Sequence, residues 1–323
     1  MTAREQRPQL AGDSPIVVEG LTKWFDHFVA VDHVSFTVGR GEVYGWLGPN
    51  GAGKTTTIRM LLGLLRPTEG QAWVLGYDCS GQAKEMQTHV GYMSQLFTLY
   101  NDLTAAENIR FYGEAYGLDR RALRLRQDEI IAMAGLQGRE HVLTAHLSGG
   151  WKQRLALGCA IVHNPEVLFL DEPTAGVDPI SRRQFWELIY TMARQGVTVL
   201  VTTHYMDEAE LCQRVGFIAD GHLIALDTPQ RLKELQMRGE VLEVACGDPA
   251  QAVSVLGRLD LFDEVALYGA MIHIVAPGVE AHRAAIDTAL RGAGIAVRAM
   301  NVIAPSLEDV FISCVRSSAA HGA

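Results

Sequence analysis

Leu147-Ser148-Gly149-Gly150-Trp151-Lys152-Gln153-Arg154 is the most informative stretch of this 323-residue chain. A serine and two glycines opening a helical run leave bare backbone N–H groups, a hydroxyl and the positive end of a helix dipole facing outward. That is an anion-binding surface. A second one lies upstream, where Gly48-Pro49-Asn50-Gly51-Ala52-Gly53-Lys54-Thr55 fills the phosphate-loop pattern G-x-x-x-x-G-K-[ST]. It sits where the pattern must, between a strand-like run over 42–47 and helical apolar spacing over 55–65 that Pro67 stops. Two separate half-sites for one phosphate tail imply a nucleotide held between two copies of the protein.

The loop's glycines let the backbone curl around a β-phosphate. Lys54 reaches the β- and γ-phosphates, Thr55 offers a hydroxyl to Mg²⁺, and Thr56 follows as a further nucleotide contact. Downstream, Val167-Leu168-Phe169-Leu170-Asp171-Glu172 is an apolar strand ending in two carboxylates. Asp171 is placed to hold Mg²⁺, through water, and Glu172 to polarise an attacking water. Two solvated acids at a strand end are common in isolation, but the continuation Pro173-Thr174-Ala175-Gly176-Val177-Asp178 makes that bland reading a poor one. His204 follows a strand over 197–202 and precedes Asp207-Glu208; a lone histidine there is more often structural. Gln95 ends the segment 90–95, where a surface loop amide is an equal reading.

Residues 15–235 resemble the ATP-binding-cassette (ABC) ATPases, whose signature is Leu-Ser-Gly-Gly-Gln, with the motifs in family order. The resemblance implies an α/β fold of the P-loop NTPase class: a RecA-like core, an antiparallel β-subdomain and a helical subdomain over about 96–163. It implies ATP and Mg²⁺ as ligands, Glu172 as general base, and His204 as the switch histidine on the γ-phosphate. Gln95 becomes the Q-loop glutamine on Mg²⁺ or water, and Asp178 couples the two sites of a homodimer. Ser148, Gly149 and Gly150 would complete the partner's site in trans. Phe25 fits the aromatic that stacks on adenine, although Trp24 and Phe25 also read as strand packing. One position departs from the pattern: Trp151 stands where the signature has Gln, and either shapes a nucleotide or docking surface or packs on the first helical turn. Pro305-Ser306-Leu307-Glu308-Asp309-Val310-Phe311 is similar to the closing stretch of ATPase subunits of ABC-2 type exporters. That implies a peripheral subunit on the cytoplasmic face of the membrane, bound to a separate ABC-2 type permease.

Composition agrees. The net charge of −9 counts against nucleic acid as a partner. Arg120-Arg121 with Arg124 and Arg126 reads as the solvated face of a helix. Five cysteines without a Cys-x-x-Cys pair read as reduced thiols, neither disulfides nor a zinc site. No apolar run approaches the roughly 20 residues of a membrane span, and the start lacks a secretory signal.

Thr104 and Glu107 suggest a capping box opening the helical region, Asp220-Gly221 a hairpin turn, and Thr228-Pro229 a helix start. Beyond residue 238 lysine disappears and acids outnumber arginines. There the order strand 241–246, helix 249–259, strand 264–268, strand 271–275, helix 279–292, strand 295–301 suggests a ferredoxin-like α+β domain over 240–317. A last helix over 305–315 and a disordered Ser/Ala/Gly tail are expected. A regulatory or dimerisation role for this domain is not distinguished. Two other functions fit less well: a soluble cassette acting on ribosomes or DNA, and a nucleotide-sensing scaffold. The single cassette and acidic balance oppose the first, and the intact Asp171-Glu172 and His204 oppose the second.

Overall fold

The computed structural model describes residues 14–95, 99–237 and 239–321. The chain divides into two compact units, one ending at Leu226 and the other beginning at Asp227.

In the first unit, β1 (Ile16–Phe25), β2 (Phe28–Val38) and β3 (Val43–Leu47) lead into α1 (Lys54–Leu61). Then come β4 (Glu69–Val74), β5 (Tyr77–Asp78), α2 (Ala83–Gln87) and β6 (Val90–Met93). The helical region holds α3 (Ala105–Ala115), α4 (Arg120–Met133) and α5 (Gly149–Ala160). It returns through β7 (Val167–Asp171), α6 (Pro179–Arg194), β8 (Thr198–Thr203), α7 (Met206–Ala209), β9 (Arg214–Ala219) and β10 (His222–Asp227).

Two sheets result. Strands β2-β1-β4-β5 form an antiparallel sheet, and β10-β9-β3-β8-β7-β6 form the main one. In the main sheet β3, β6, β7, β8 and β9 pair in parallel. Its central strands β3, β7 and β8 are buried at every position. Parallel strands covered on both faces are mostly apolar, and the buried polar residues here, Asp171, Thr198, Thr202 and Thr203, lie at the strand ends. The registers align Leu47 with Thr203, Asp171 with Thr202 and Leu170 with Met93. Four loops therefore leave the same carboxyl edge: the phosphate loop, the two acids, the His204 loop and the Gln95 segment. That edge is where open α/β sheets bind ligands.

Helix α1 ends earlier than the apolar spacing implied. Gly63 adopts φ +67°, Leu64 N–H bonds Arg59 O at 2.9 Å and Gly63 N–H bonds Met60 O at 3.0 Å. This is a Schellman stop, and Pro67 lies beyond it. In the helical region Thr104 accepts from Glu107 N–H and its own N–H donates to Glu107, the expected capping box. Ala105, Ile109, Ile130, Leu147, Leu155 and Cys159 build a local core. Arg120, Arg121 and Arg124 are exposed, but Arg126 is not a solvated arginine. It donates to Ile161 O at 2.8 Å and Val162 O at 3.2 Å, satisfying carbonyls that the end of α5 leaves open.

In the second unit, α8 (Pro229–Gln236) is capped by Thr228. It groups with the residues that follow it, so the unit boundary falls ahead of residue 235. The remaining order is β11 (Glu240–Cys246), α9 (Pro249–Leu256), β12 (Glu264–Tyr268), β13 (Met271–Ala276), α10 (Arg283–Gly292), β14 (Val297–Ile303) and α11 (Leu307–His321). The sheet order β12-β13-β11-β14, antiparallel throughout, is the ferredoxin-like arrangement. Leu242, Val244, Ile272 and Ile274 pack with Leu256, Ile286 and Leu290 of α9 and α10. Helix α11 opens on a reciprocal Ser306–Asp309 cap, and the other oxygen of Asp309 bonds His273 Nδ1 at 2.7 Å. It runs to His321, so part of the tail expected to be disordered is helical.

All five cysteines are free and buried, as the odd scattered set suggested. Burial pushes the Cys79 thiol up to about 12 and Cys314 up to about 11, which leaves both unreactive. Among the described residues no helix is long and apolar enough to cross a membrane.

The stop at Gly63 is tight: a Cβ there would lie 2.4 Å from Ala83 Cβ and 2.6 Å from Cys79 O. At Gly138, φ +75°, nothing lies within 4 Å. Gly138→Ala is therefore expected to add only left-handed strain, about 1 kcal/mol. Gly63→Ala adds the clash as well, and lowers the thermal midpoint further by roughly 2–4 °C per extra kcal/mol. Equal midpoints for the two variants would contradict this account of the stop.

Candidate active site

The phosphate loop joins β3 to α1, so a fully buried strand fixes its start and a helix N-terminus its end. Gly53 caps α1 with φ +106°, and a Cβ there would meet Ala30 O at 2.4 Å. Gly51 has φ +83° and open space around it, which leaves the loop backbone bare toward a ligand. Asn50, Gly51, Gly53, Lys54, Thr55 and Thr56 line a cleft of about 400 Å³ with Phe25, Phe28, Ala30, Gln95 and Glu172. Gly48 and Ala52 are buried and Pro49 exposed, outside that lining. Lys54, only 4% exposed, donates to Gly48 O at 2.8 Å and Pro49 O at 3.1 Å. Its Nζ also lies 3.1 Å from Glu172 Oε1.

The two acids are set by the end of β7 and its neighbour β8. Asp171, 1% exposed, accepts from Thr55 Oγ1 at 3.2 Å and Thr202 Oγ1 at 2.7 Å. Glu172 leaves the strand in the left-handed region, φ +47°, a conformation that costs a non-glycine residue on the order of 1–3 kcal/mol. Its N–H bonds Thr202 Oγ1 at 2.9 Å and Thr202 O at 3.1 Å, which holds the turn. Its carboxylate then meets three of the residues singled out in the sequence. Besides Lys54, Gln95 Nε2 donates to Oε2 at 3.2 Å, and His204 Nδ1 lies 3.2 Å from the same oxygen. The histidine contact is close but lacks hydrogen-bond geometry. Gln95 thus sits on Glu172, and residues 96–98 beyond it lie outside those described.

Phe25 and Phe28 face each other across the end of the β1–β2 hairpin, 45% and 61% exposed, and both line the cleft. Lys23 Nζ lies 5.2 Å from the Phe25 ring centre, a cation–π contact on one side of it. Trp24, also half-exposed, is not part of the cleft lining. Phe28 was missed in the sequence. The signal was there, since a tight turn at Asp26-His27 forces its neighbours to pair.

Ser148 is the N-cap residue of α5 and makes no side-chain cap bond; it and Gly149 are exposed. Neither lines the cleft of its own chain. Gly150 is buried, and a Cβ there would sit 2.4 Å from Ser181 Oγ. Asp178 caps α6, accepting from Ile180 N–H at 3.1 Å and Ser181 N–H at 3.0 Å. Hydrogen bonds from the Ser181 side chain, then from these N–H groups, hold its carboxyl below the usual carboxylate range. Trp151 packs against the helical core with Arg139 and Arg154 guanidinium carbons 4.6 Å and 3.9 Å from its ring centre. Of its two readings, packing on the first helical turn is the one this arrangement fits.

The half-exposed Phe25 ring in the cleft lining and the bare loop backbone suit a nucleotide. Phe25→Ala is expected to weaken binding of an ATP analogue about tenfold, from the ~1–3 kcal/mol of base–aromatic stacking. Trp24→Ala should leave the affinity unchanged. Calorimetric titration of both variants decides it, and equal losses would move the base elsewhere.

Comparisons with known proteins give the family. A family model described as ABC transporter matches residues 31–175. The probable multidrug ABC transporter ATP-binding protein YbhF of Escherichia coli is 51% identical over 222 residues, 69% of this chain and 38% of that protein. The chain therefore spans well under half the length of that relative. The Nod factor export ATP-binding protein I of Sinorhizobium fredii is 39% identical over 246 residues, 76% of this chain and 72% of its own. Among solved structures, the dimeric post-hydrolysis state of the ATP-binding cassette MJ0796 with ADP and Pi superposes with a TM-score of 0.60 at 26% identity. It covers 66% of this chain and 98% of that one. The chain belongs to the ABC transporter ATP-binding family.

Proposed function

We propose that this chain binds and hydrolyses ATP to drive export through a separate ABC-2 type permease, as a peripheral subunit on the cytoplasmic face. The observation that carries the proposal is the meeting of Lys54, Gln95 and His204 on the carboxylate of Glu172, beside Asp171 and Thr55. The names of the multidrug and Nod-factor export relatives support the direction of transport. The dimeric cassette with ADP and Pi supports the assembly.

ATP enters with its adenine against Phe25 and its phosphates on the loop. Phosphate oxygens replace Gly48 O, Pro49 O and Glu172 as partners of Lys54, which frees the glutamate. The oxygens of Thr55 and Asp171 are hard donors of the kind Mg²⁺ takes, and one or two protein oxygens beside substrate phosphates suffice to hold it. Bound there, the ion neutralises charge on the phosphates. Glu172 accepts the proton of a water whose oxygen attacks the γ-phosphorus in line as the bond to the β–γ bridging oxygen breaks and ADP leaves, while His204 donates to the γ-phosphate. Gln95 holds the water or the ion and reports the nucleotide to the helical region.

The exposed Ser148 and Gly149, with Gly150, face the γ-phosphate of the partner copy, and Asp178 lies at the seam between the two sites. Two copies close head to tail around ATP and reopen after hydrolysis. The motion passes through the helical region to the permease.

Glu172→Gln is expected to cut turnover by at least the ~10²-fold typical of a lost general base, while ATP-Mg²⁺ still binds. Light scattering should show a dimer of this variant with ATP and a monomer without it. Near-normal turnover would remove Glu172 from its role, and a monomer under both conditions would contradict the closing step.

A further inference from the structure

Behind the acid–histidine edge lies a buried carboxylate that the sequence reading placed only as part of an acidic helix start. Glu208, 1% exposed, points its two oxygens at two different loops. Oε1 accepts a hydrogen bond from the Thr174 hydroxyl, and Oε2 accepts from Thr203 Oγ1 at 2.7 Å. Thr174 belongs to the segment that follows Glu172, and it is tied back to that residue because Ala175 N–H bonds Glu172 O at 3.2 Å. Thr203 immediately precedes His204, and its hydroxyl also accepts from Tyr205 N–H at 3.0 Å. The turn presenting the histidine is thus pinned from both sides by one hydroxyl.

Arg182 of α6 completes the cluster. Its Nε lies 3.4 Å from Glu208 Oε1, its Nη1 donates to Asp207 at 3.1 Å, and its guanidinium stacks 4.4 Å from the Tyr205 ring. That ring lies 4.1 Å from the His204 ring. A buried carboxylate with one oxygen for each loop and a guanidinium beside it is a fixed joint, since every partner lost leaves a buried polar group unpaired.

We propose that Glu208 is a positioning residue for hydrolysis, holding the Glu172 and His204 loops in mutual register through Thr174, Thr203 and Arg182. It touches neither nucleotide nor water, and it acts by keeping the base and the histidine converged on one point. The proposal rests on the roles given above to Glu172 and His204.

The test compares Glu208→Gln, Thr203→Val and Thr203→Ser in the full-length protein, with Glu172→Gln as a parallel arm. Ångström-scale misplacement of reacting groups lowers rates by up to about 10²-fold. Glu208→Gln and Thr203→Val should accordingly lower kcat about tenfold to a hundredfold, with KM for ATP and nucleotide affinity unchanged and Tm lowered by only the few degrees that an unpaired buried group costs. Thr203→Ser, which keeps the hydroxyl, should restore kcat. The Thr203→Val/Glu208→Gln double variant should lose no more than the worse single one, because both act through one joint.

Wild-type kcat in Glu208→Gln and Thr203→Val, alongside a collapsed Glu172→Gln, overturns the positioning role and leaves the base in place. Parallel losses of kcat, nucleotide affinity and Tm overturn it in favour of a purely structural carboxylate. Retained turnover in Glu172→Gln overturns the reading of the site and the proposal with it.

Discussion

The geometry of the site depends on one buried hydroxyl, that of Thr202. It donates to Asp171 Oδ1 at 2.7 Å and accepts from Glu172 N–H at 2.9 Å. Through that pair β8 decides where Asp171, at the end of β7, and Glu172, just beyond it, point. Asp171 is held toward Thr55, and the backbone of Glu172 is held in a left-handed turn that the residue alone would avoid. The strain is repaid by packing: β3, β7 and β8 are buried along their whole lengths and have no freedom to relax it.

The same rigidity explains the exchange of partners expected at Lys54. Its ammonium is buried among two loop carbonyls and the carboxylate of Glu172. A buried pair of this kind returns little net stability, because both ions were taken out of water. On the proposed function, phosphates that carry more charge and present several oxygens would displace it. In the proposed mechanism, release of Glu172 toward a water would then be coupled to arrival of the nucleotide; its contacts with Gln95 and His204 are in place beforehand.

Much of this was legible in the sequence where local chemistry dictates the outcome. The glycine pattern 48–55 needs no tertiary context to announce a phosphate loop, and strands read over 42–47, 167–170 and 197–202 fall within a residue of the observed 43–47, 167–171 and 198–203. The caps at Thr104 and Thr228 were visible for the same reason. The stop of α1 was misplaced because Gly63, inside an apolar rhythm, outranks the more conspicuous Pro67. Arg126 looked like its exposed neighbours because sequence does not show that the end of α5 lies beneath it. Phe28, Thr202 and Glu208 escaped for a related reason. Each acts through residues brought to it by a hairpin or a parallel register, and a buried glutamate looks no different in a sequence from a solvated one.

The central claim is that each catalytic site is shared, with the phosphate loop and Glu172 of one copy completed by the exposed Ser148 and Gly149 of the other. Mixing two inactive variants tests it most directly. Lys54→Ala disables a phosphate loop and Ser148→Arg a signature, so each homodimer is dead at both sites. A mixed dimer holds one site with an intact loop and an intact partner signature. Random exchange in a twofold dimer should restore roughly a quarter of the wild-type ATPase rate. A mixture as inactive as its components would contradict sharing and return the signature to the site of its own chain.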